Sequence, residues 1–277
     1  MTPDEYCQQK AAGSGSSFYY SFLFLPAERR RAITALYAYC REVDDIVDEG
    51  LDPQVAAPKL AWWRAELANL AKGNPQHPVT KALLPLKAKF SIDEPRLLEI
   101  IDGMEMDLTQ SRYLDWAGLE RYCYRVAGVV GLLAAGIFGY RNPRTLAYAR
   151  NLGIAFQLTN IIRDVGEDAR KNRIYLPMED MKRFGVTAAE ILNGKQTPGF
   201  SALMAFETQR AKDYYANAFA NLPAEDRKAQ RAGLIMAAIY RTLLGEIEAD
   251  GFQVLKQRTS ITPLRKFWIA WKTWVSA

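Results

Sequence analysis

Apolar residues in this chain recur at intervals of three and four, and nowhere in a sustained alternation. Between Arg29 and Val47 they fall at Ile33, Leu36, Tyr37, Cys40, Val43 and Val47, which places them along one face of an α-helix. Asp93-Glu94-Pro95 reads as an N-cap with proline in the first turn. It opens a second such segment carrying Leu97, Leu98, Ile101 and Leu108. Helices are expected from about Asp115 to Phe138, Pro143 to about Val165, Ser201 to Ala220 and Ala224 to Ala249, and Thr187 to Glu190 reads as a capping box opening a short one. No hairpin pattern is present, and no repeat of roughly 20–50 residues. The breaks at Asp52-Pro53, Gly73-Asn74-Pro75, Asn142-Pro143, Lys171 to Pro177 and Gly194 to Gly199 read as loops between helices. The expected fold is all-α, a single-domain helical bundle over residues 1–277.

Composition narrows the function. With 49% hydrophobic and 24% charged residues the chain can bury a large core, which excludes disordered and collagen-like classes. The net charge of +5 fits anionic substrates or an anionic membrane surface, and nucleic acid is not an expected partner. Cys7, Cys40 and Cys123 are widely spaced, with no CxxC pair, so a disulfide scaffold or thiolate zinc site is not expected and a reducing, cytoplasmic setting is. One histidine, His77, excludes histidine triads and histidine-rich metal sites. The N-terminus lacks the basic-then-apolar pattern of a signal peptide. The uncharged, apolar run Val126 to Tyr140 falls short of the roughly 18–20 apolar residues of a spanning helix. It reads as a core helix whose Gly128, Gly131, Gly136 and Gly139 let another helix or a ligand approach closely.

Chemistry concentrates in two acidic stripes. In Cys40-Arg41-Glu42-Val43-Asp44-Asp45-Ile46-Val47-Asp48, the carboxylates of Asp44 and Asp48 lie four apart on one helix face. Like charges at that spacing destabilise a helix by about 0.2–0.5 kcal/mol, so a compensating cation is expected, and Arg41 is placed to supply it. Alone, this segment could be a solvated acidic face. A second stripe 120 residues downstream carries Asn160, Asp164 and Asp168, each four apart, with Gln157 one turn earlier. Two such helices facing each other would present hard oxygen ligands to Mg²⁺, which binds through a few carboxylates plus substrate phosphates. Directly after comes Arg170-Lys171-Asn172-Arg173, either a basic surface loop or a clamp for a polyanion such as diphosphate. Gly13-Ser14-Gly15-Ser16-Ser17 follows no strand and is not a dinucleotide fingerprint; it reads as a polar loop able to contact phosphate.

Together these residues resemble the squalene and phytoene synthase family, the head-to-head prenyl synthases, over nearly the whole chain. The resemblance rests on Asp44-Asp45-Ile-Val-Asp48, on Tyr122 to Gly131, on Gln157 to Asp168 and on Arg173-Ile-Tyr-Leu-Pro177. Phe18 to Pro26 and Thr262 to Trp271 look closest to the bacterial presqualene diphosphate synthases of the hopanoid route. The family implies an isoprenoid-synthase bundle with a central apolar cavity, dependence on Mg²⁺, and condensation of two farnesyl diphosphates to presqualene diphosphate. It assigns metal binding to Asp44, Asp48, Asn160, Asp164 and Asp168, and substrate binding to Ser17, Phe18, Arg41, Gln157, Arg163, Arg170 and Arg173. Tyr122 and Tyr240 map to the reaction chamber as catalytic candidates alongside Asp44 and Asp48, and Tyr37 and Phe156 are further candidates to line it. Ser14 stands where some relatives carry histidine, which leaves that phosphate contact unassigned. The rivals are an NADPH-dependent squalene synthase, a phytoene synthase using geranylgeranyl diphosphate and, in another class, a non-catalytic membrane-associated adaptor. Downstream isoprenoid enzymes are the expected protein partners.

The last segment, Leu264 to Val275, is amphipathic: Leu264, Phe267, Trp268, Trp271, Trp274 and Val275 share a face flanked by Arg265 and Lys272. It reads either as the closing helix of the bundle or as a peripheral contact with the inner face of a membrane.

Overall fold

Several of the helices start where a side chain accepts from a free backbone N–H. The computed structural model describes residues 1–13, 21–22, 24–48 and 53–276; the expected phosphate loop, with Ser17 and Phe18, lies outside them. The helices are α1 (Pro3–Gly13), α2 (Ala27–Asp48), α3 (Pro53–Ala71), α4 (Pro78–Phe90), α5 (Glu94–Thr109), α6 (Trp116–Cys123), α7 (Val129–Phe138), α8 (Arg144–Arg170), α9 (Met178–Arg183), α10 (Ala188–Leu192), α11 (Pro198–Ala220), α12 (Arg231–Ala249) and α13 (Pro263–Ser276). The described residues contain no strand, only an isolated bridge between Arg112 and Ile174. The expected all-α bundle is therefore the observed fold.

The caps confirm the sequence signals. The Asp93 carboxylate accepts from the Arg96 backbone N–H at 2.9 Å, and Thr187 with Glu190 forms the full capping box. His77 caps α4, its Nδ1 accepting from the Val79 N–H at 3.2 Å. Three expectations change. The second acidic helix does not stop near Val165 but runs on to Arg170, so Asp168 shares a rigid helix with Asn160 and Asp164. The segment from Ala224 breaks after a short 3₁₀ turn because Asp226 turns inward, accepting from the backbone N–H groups of Arg141 and Asn142 and from the Thr145 hydroxyl. Helices α1, α3 and α4 go beyond the segments read from periodicity; α3 and α4 hold Pro58 and Pro85 in their interiors.

Helices α6 and α7 are continuous through a π-helical stretch, Tyr124–Gly128. The joined element, 116–138, is long and apolar enough to cross a membrane by composition. Here it packs against α5 and α8 at the centre of the bundle. Its glycines serve helix contact: a Cβ on Gly131 would meet the Ala149 carbonyl oxygen, and one on Gly153 of α8 would meet that of Ala127. Gly128 packs the same way beside Tyr124 and Ile154, so of the two expected roles, approach of a helix or of a ligand, it serves the first.

Candidate active site

A chamber of about 430 Å³ opens between the two apolar cores of the bundle. Ile33 and Asp44 both line it and lie 11 residues apart on α2, a separation of roughly 16 Å along the helix axis. Its inner part is apolar, walled by Phe22, Ile33, Leu36, Val130 and Phe138. Its other end carries Arg41, Asp44, Gln157, Asn160, Arg163 and Arg258. All four expected aromatic residues, Tyr37, Tyr122, Phe156 and Tyr240, line the chamber. The Phe156 and Tyr240 rings sit 4.8 Å apart.

The polar end forms where the C-terminal ends of α2 and α8 meet. Arg173, in the loop after α8, donates to the Val47 carbonyl at 3.1 Å and lies 3.9 Å from the Asp48 carboxylate. Lys171 is 3.8 Å from the same carboxylate. Cations at this terminus complement its dipole. The expected partner of the first stripe is present: Arg41 pairs with Asp44 at 2.5 Å and also with Asp45. In the second stripe Arg163 forks onto Asp164, donating through Nε at 2.7 Å. Arg170, by contrast, is exposed at the end of α8 and makes no ion pair among the described residues.

The stripes feel each other electrostatically. Burial, then Asp48, push Asp44 up to about 7. Burial, then Asp164, with Asp107 and Asp48 further out, push Asp168 up to about 7. Asp164 is the opposite case: burial would raise it, but Arg163 and Arg258 outweigh this and hold it below the usual range. In the second stripe the Asn160 side-chain oxygen is buried without a hydrogen-bond donor. Among the described residues no three acidic, cysteine or histidine side chains converge into a closed metal cage. An open array of oxygens with an orphaned amide oxygen and crowded carboxylates suits a hard cation that completes its shell with water and phosphate.

Two further residues belong to the site. Asp107 on α5 is buried and accepts hydrogen bonds from the phenols of Tyr122 and Tyr175, each at 2.8 Å. Burial pushes it up to about 6, against the pull of both phenols. It falls three residues after buried Met104 on the apolar face of its helix, and a carboxylate at such a position is the mark that identifies it. Arg258, in the loop before α13, donates to Asp164 at 2.9 Å and pairs with Glu167 at 3.4 Å. It lies outside any periodic element and nothing in its local sequence marks it.

The family described as squalene/phytoene synthase matches residues 11–265. The chain belongs to that family. A phytoene synthase from Arthrospira platensis is 36% identical over 95% of this chain and 89% of its own length. Among solved structures, a dehydrosqualene synthase in complex with ligand superposes with a TM-score of 0.86 at 28% identity, covering 99% of this chain and 96% of that one. The squalene synthase HpnC from Alicyclobacillus acidocaldarius gives 0.81 at 26% identity, covering 90% and 94%. The isoprenoid-synthase fold and membership among the head-to-head prenyl synthases stand on these matches together.

Proposed function

We propose that the protein condenses two farnesyl diphosphates head to head, giving presqualene diphosphate and inorganic diphosphate. The observation that carries this reading is the pairing of an anion-handling pole with a long apolar chamber lined by aromatic rings. Asp44, Asp48, Asn160, Asp164 and Asp168 would hold Mg²⁺, which neutralises the leaving diphosphate when bound. Arg41, Arg163 and Arg173 sit beside those carboxylates, and would turn from them to phosphate oxygens as substrate enters. Departure of the first diphosphate leaves an allylic cation. The 2,3 double bond of the second substrate attacks it, and loss of one proton closes the cyclopropane. The apolar wall keeps water from the cation. The rings of Tyr122, Tyr240 and Phe156 can each stabilise it by about 0.5–2 kcal/mol. Asp107 holds the Tyr122 phenol in place.

The structural neighbours named for squalene products, which are built from two C15 units, support the farnesyl reading. Relatives such as the Arthrospira enzyme favour a second reading, condensation of two C20 units to phytoene. Both readings give the protein prenyl diphosphates as substrates. The direct experiment is incubation with farnesyl diphosphate and Mg²⁺, with and without NADPH. Presqualene diphosphate in both tubes supports the reading; squalene as the main product with NADPH replaces it with a reducing synthase.

The raised carboxyls set a pH dependence. Asp44 and Asp168 titrate near 7 in the folded protein but near 3.8 when unfolded. Between those values the native state holds protons that the unfolded chain has released, so the metal-free protein loses stability as pH rises from about 4 to about 7. Mg²⁺ binds the deprotonated forms. Millimolar MgCl₂ is therefore expected to raise Tm more at about pH 8 than at about pH 5.5. Scanning fluorimetry at the two pH values reads this directly, and an equal or reversed shift would contradict it.

A further inference from the structure

Helix α13 is turned inside out. An amphipathic helix on a soluble bundle puts its apolar stripe against the core. Here Leu264 is 85%, Trp268 58% and Val275 65% exposed, with Phe267 and Trp271 about half exposed beside them, while fully buried Ala270 faces inward. The helix is held through its lesser face: Ile269 and Trp274 pack on the core, and Trp274 stacks on Phe24 at 5.1 Å, with the Arg231 guanidinium 4.9 Å from its ring. Trp274 thus parts from the apolar face on which the sequence grouped it with Leu264, Phe267, Trp268, Trp271 and Val275. Trp268 and Trp271 stack on each other at 5.2 Å on the outer side.

Charge distinguishes the occupants of such a face. The 14 residues of α13 carry no carboxylate; the exposed face is flanked by Lys272 and by Arg265, which also pairs with Glu246 at 2.7 Å, while Lys266 turns to the chamber. A second copy docking by a two-fold axis would set these cations against their own equivalents. An anionic bilayer would meet them with opposite charge, and tryptophan, phenylalanine and leucine flanked by lysine and arginine is the composition of a helix lying in a lipid interface. The helix also sits beside the site: Lys266, together with the preceding Arg258, Thr259, Ser260 and Ile261, lines the chamber.

We infer that α13 docks on an anionic lipid surface, immersing Leu264, Phe267, Trp268, Trp271 and Val275 among the headgroups and setting the C-terminal wall of the chamber at the lipid boundary. The prenyl chains of the product then pass into lipid while its diphosphate stays at the headgroups; this last step rests on the function proposed above, whereas the docking itself does not. The test is sedimentation with vesicles of phosphatidylcholine alone or mixed with phosphatidylglycerol, for the parent, Trp268→Ser/Trp271→Ser and Lys272→Glu, each checked for oligomeric state by light scattering. The parent is expected to bind the phosphatidylglycerol vesicles, the double variant about tenfold or more weakly, and Lys272→Glu to lose salt-sensitive affinity. Turnover of all three without vesicles is expected to be equal. Equal sedimentation of parent and double variant, absence of parent binding, or a parent dimer that the substitutions dissociate would overturn the inference. A protein that docks as expected but consumes only C20 substrate overturns the farnesyl reading and leaves the docking intact.

Discussion

Asp44→Asn and Asp164→Asn are each expected to lower turnover by about 10²–10³-fold, the scale for removing one preorganised electrostatic contact from a transition state. Asparagine keeps the shape and one oxygen of the carboxylate but not the charge that would hold Mg²⁺. The two variants should differ in stability. Asp44 is itself raised by burial and by Asp48, so neutralising it relieves repulsion at neutral pH. Asp164 is held low by Arg163 and Arg258, so neutralising it leaves two guanidiniums with a weaker acceptor. Asp44→Asn should therefore melt no lower than the parent, and Asp164→Asn somewhat lower, both with unchanged helical circular dichroism. Turnover of either variant within tenfold of the parent, or full parent activity in excess EDTA, would rule out the metal's role.

Gly153→Ala should cost about 3 kcal/mol, at the upper end for overpacking a closed contact. The added methyl would meet the Ala127 carbonyl and the backbone at Gly128, neither of which can turn aside as a side chain could. At about 2–4 °C per kcal/mol for a chain of this size, Tm should fall by roughly 6–12 °C. Gly245→Ala is the matched comparison. Gly245 is exposed on α12, and a methyl added there would find nothing within 4 Å, so replacement should stabilise by about 0.5–1 kcal/mol. Equal melting of the two variants would show that the backbones of α8 and the π-helical stretch Tyr124–Gly128 are not locked together at Gly153.

The contrast between these glycines explains what the sequence could and could not convey. Spacing alone located α2 and most of α8, because both have an apolar side interrupted by carboxylates at a fixed period. It also foresaw the Arg41 ion pair, since residues three and four apart on a helix meet. It could not tell whether Gly131 made room for a ligand or for a helix, because that depends on which backbone crosses it. Arg258 stayed hidden for the same reason: its partner Asp164 is 94 residues away and only the chain's return past α8 joins them. Asp107 was readable in principle as a carboxylate on an apolar face, but its two tyrosine donors come from other elements. For α13 the pattern was visible and its orientation was not, since an apolar stripe ordinarily predicts burial.

In the proposed reaction the chamber joins two C15 chains and stops at the cyclopropyl diphosphate. The measurement that bears on this without intermediaries is a competition in which equimolar farnesyl and geranylgeranyl diphosphates are offered together with Mg²⁺, and the products are identified by mass spectrometry. Presqualene diphosphate is expected as the dominant product, with kcat/KM for the C15 substrate higher than for the C20 substrate. Dominant C40 product, with the farnesyl diphosphate left unused, would contradict the C15 reading and establish the phytoene reading in its place.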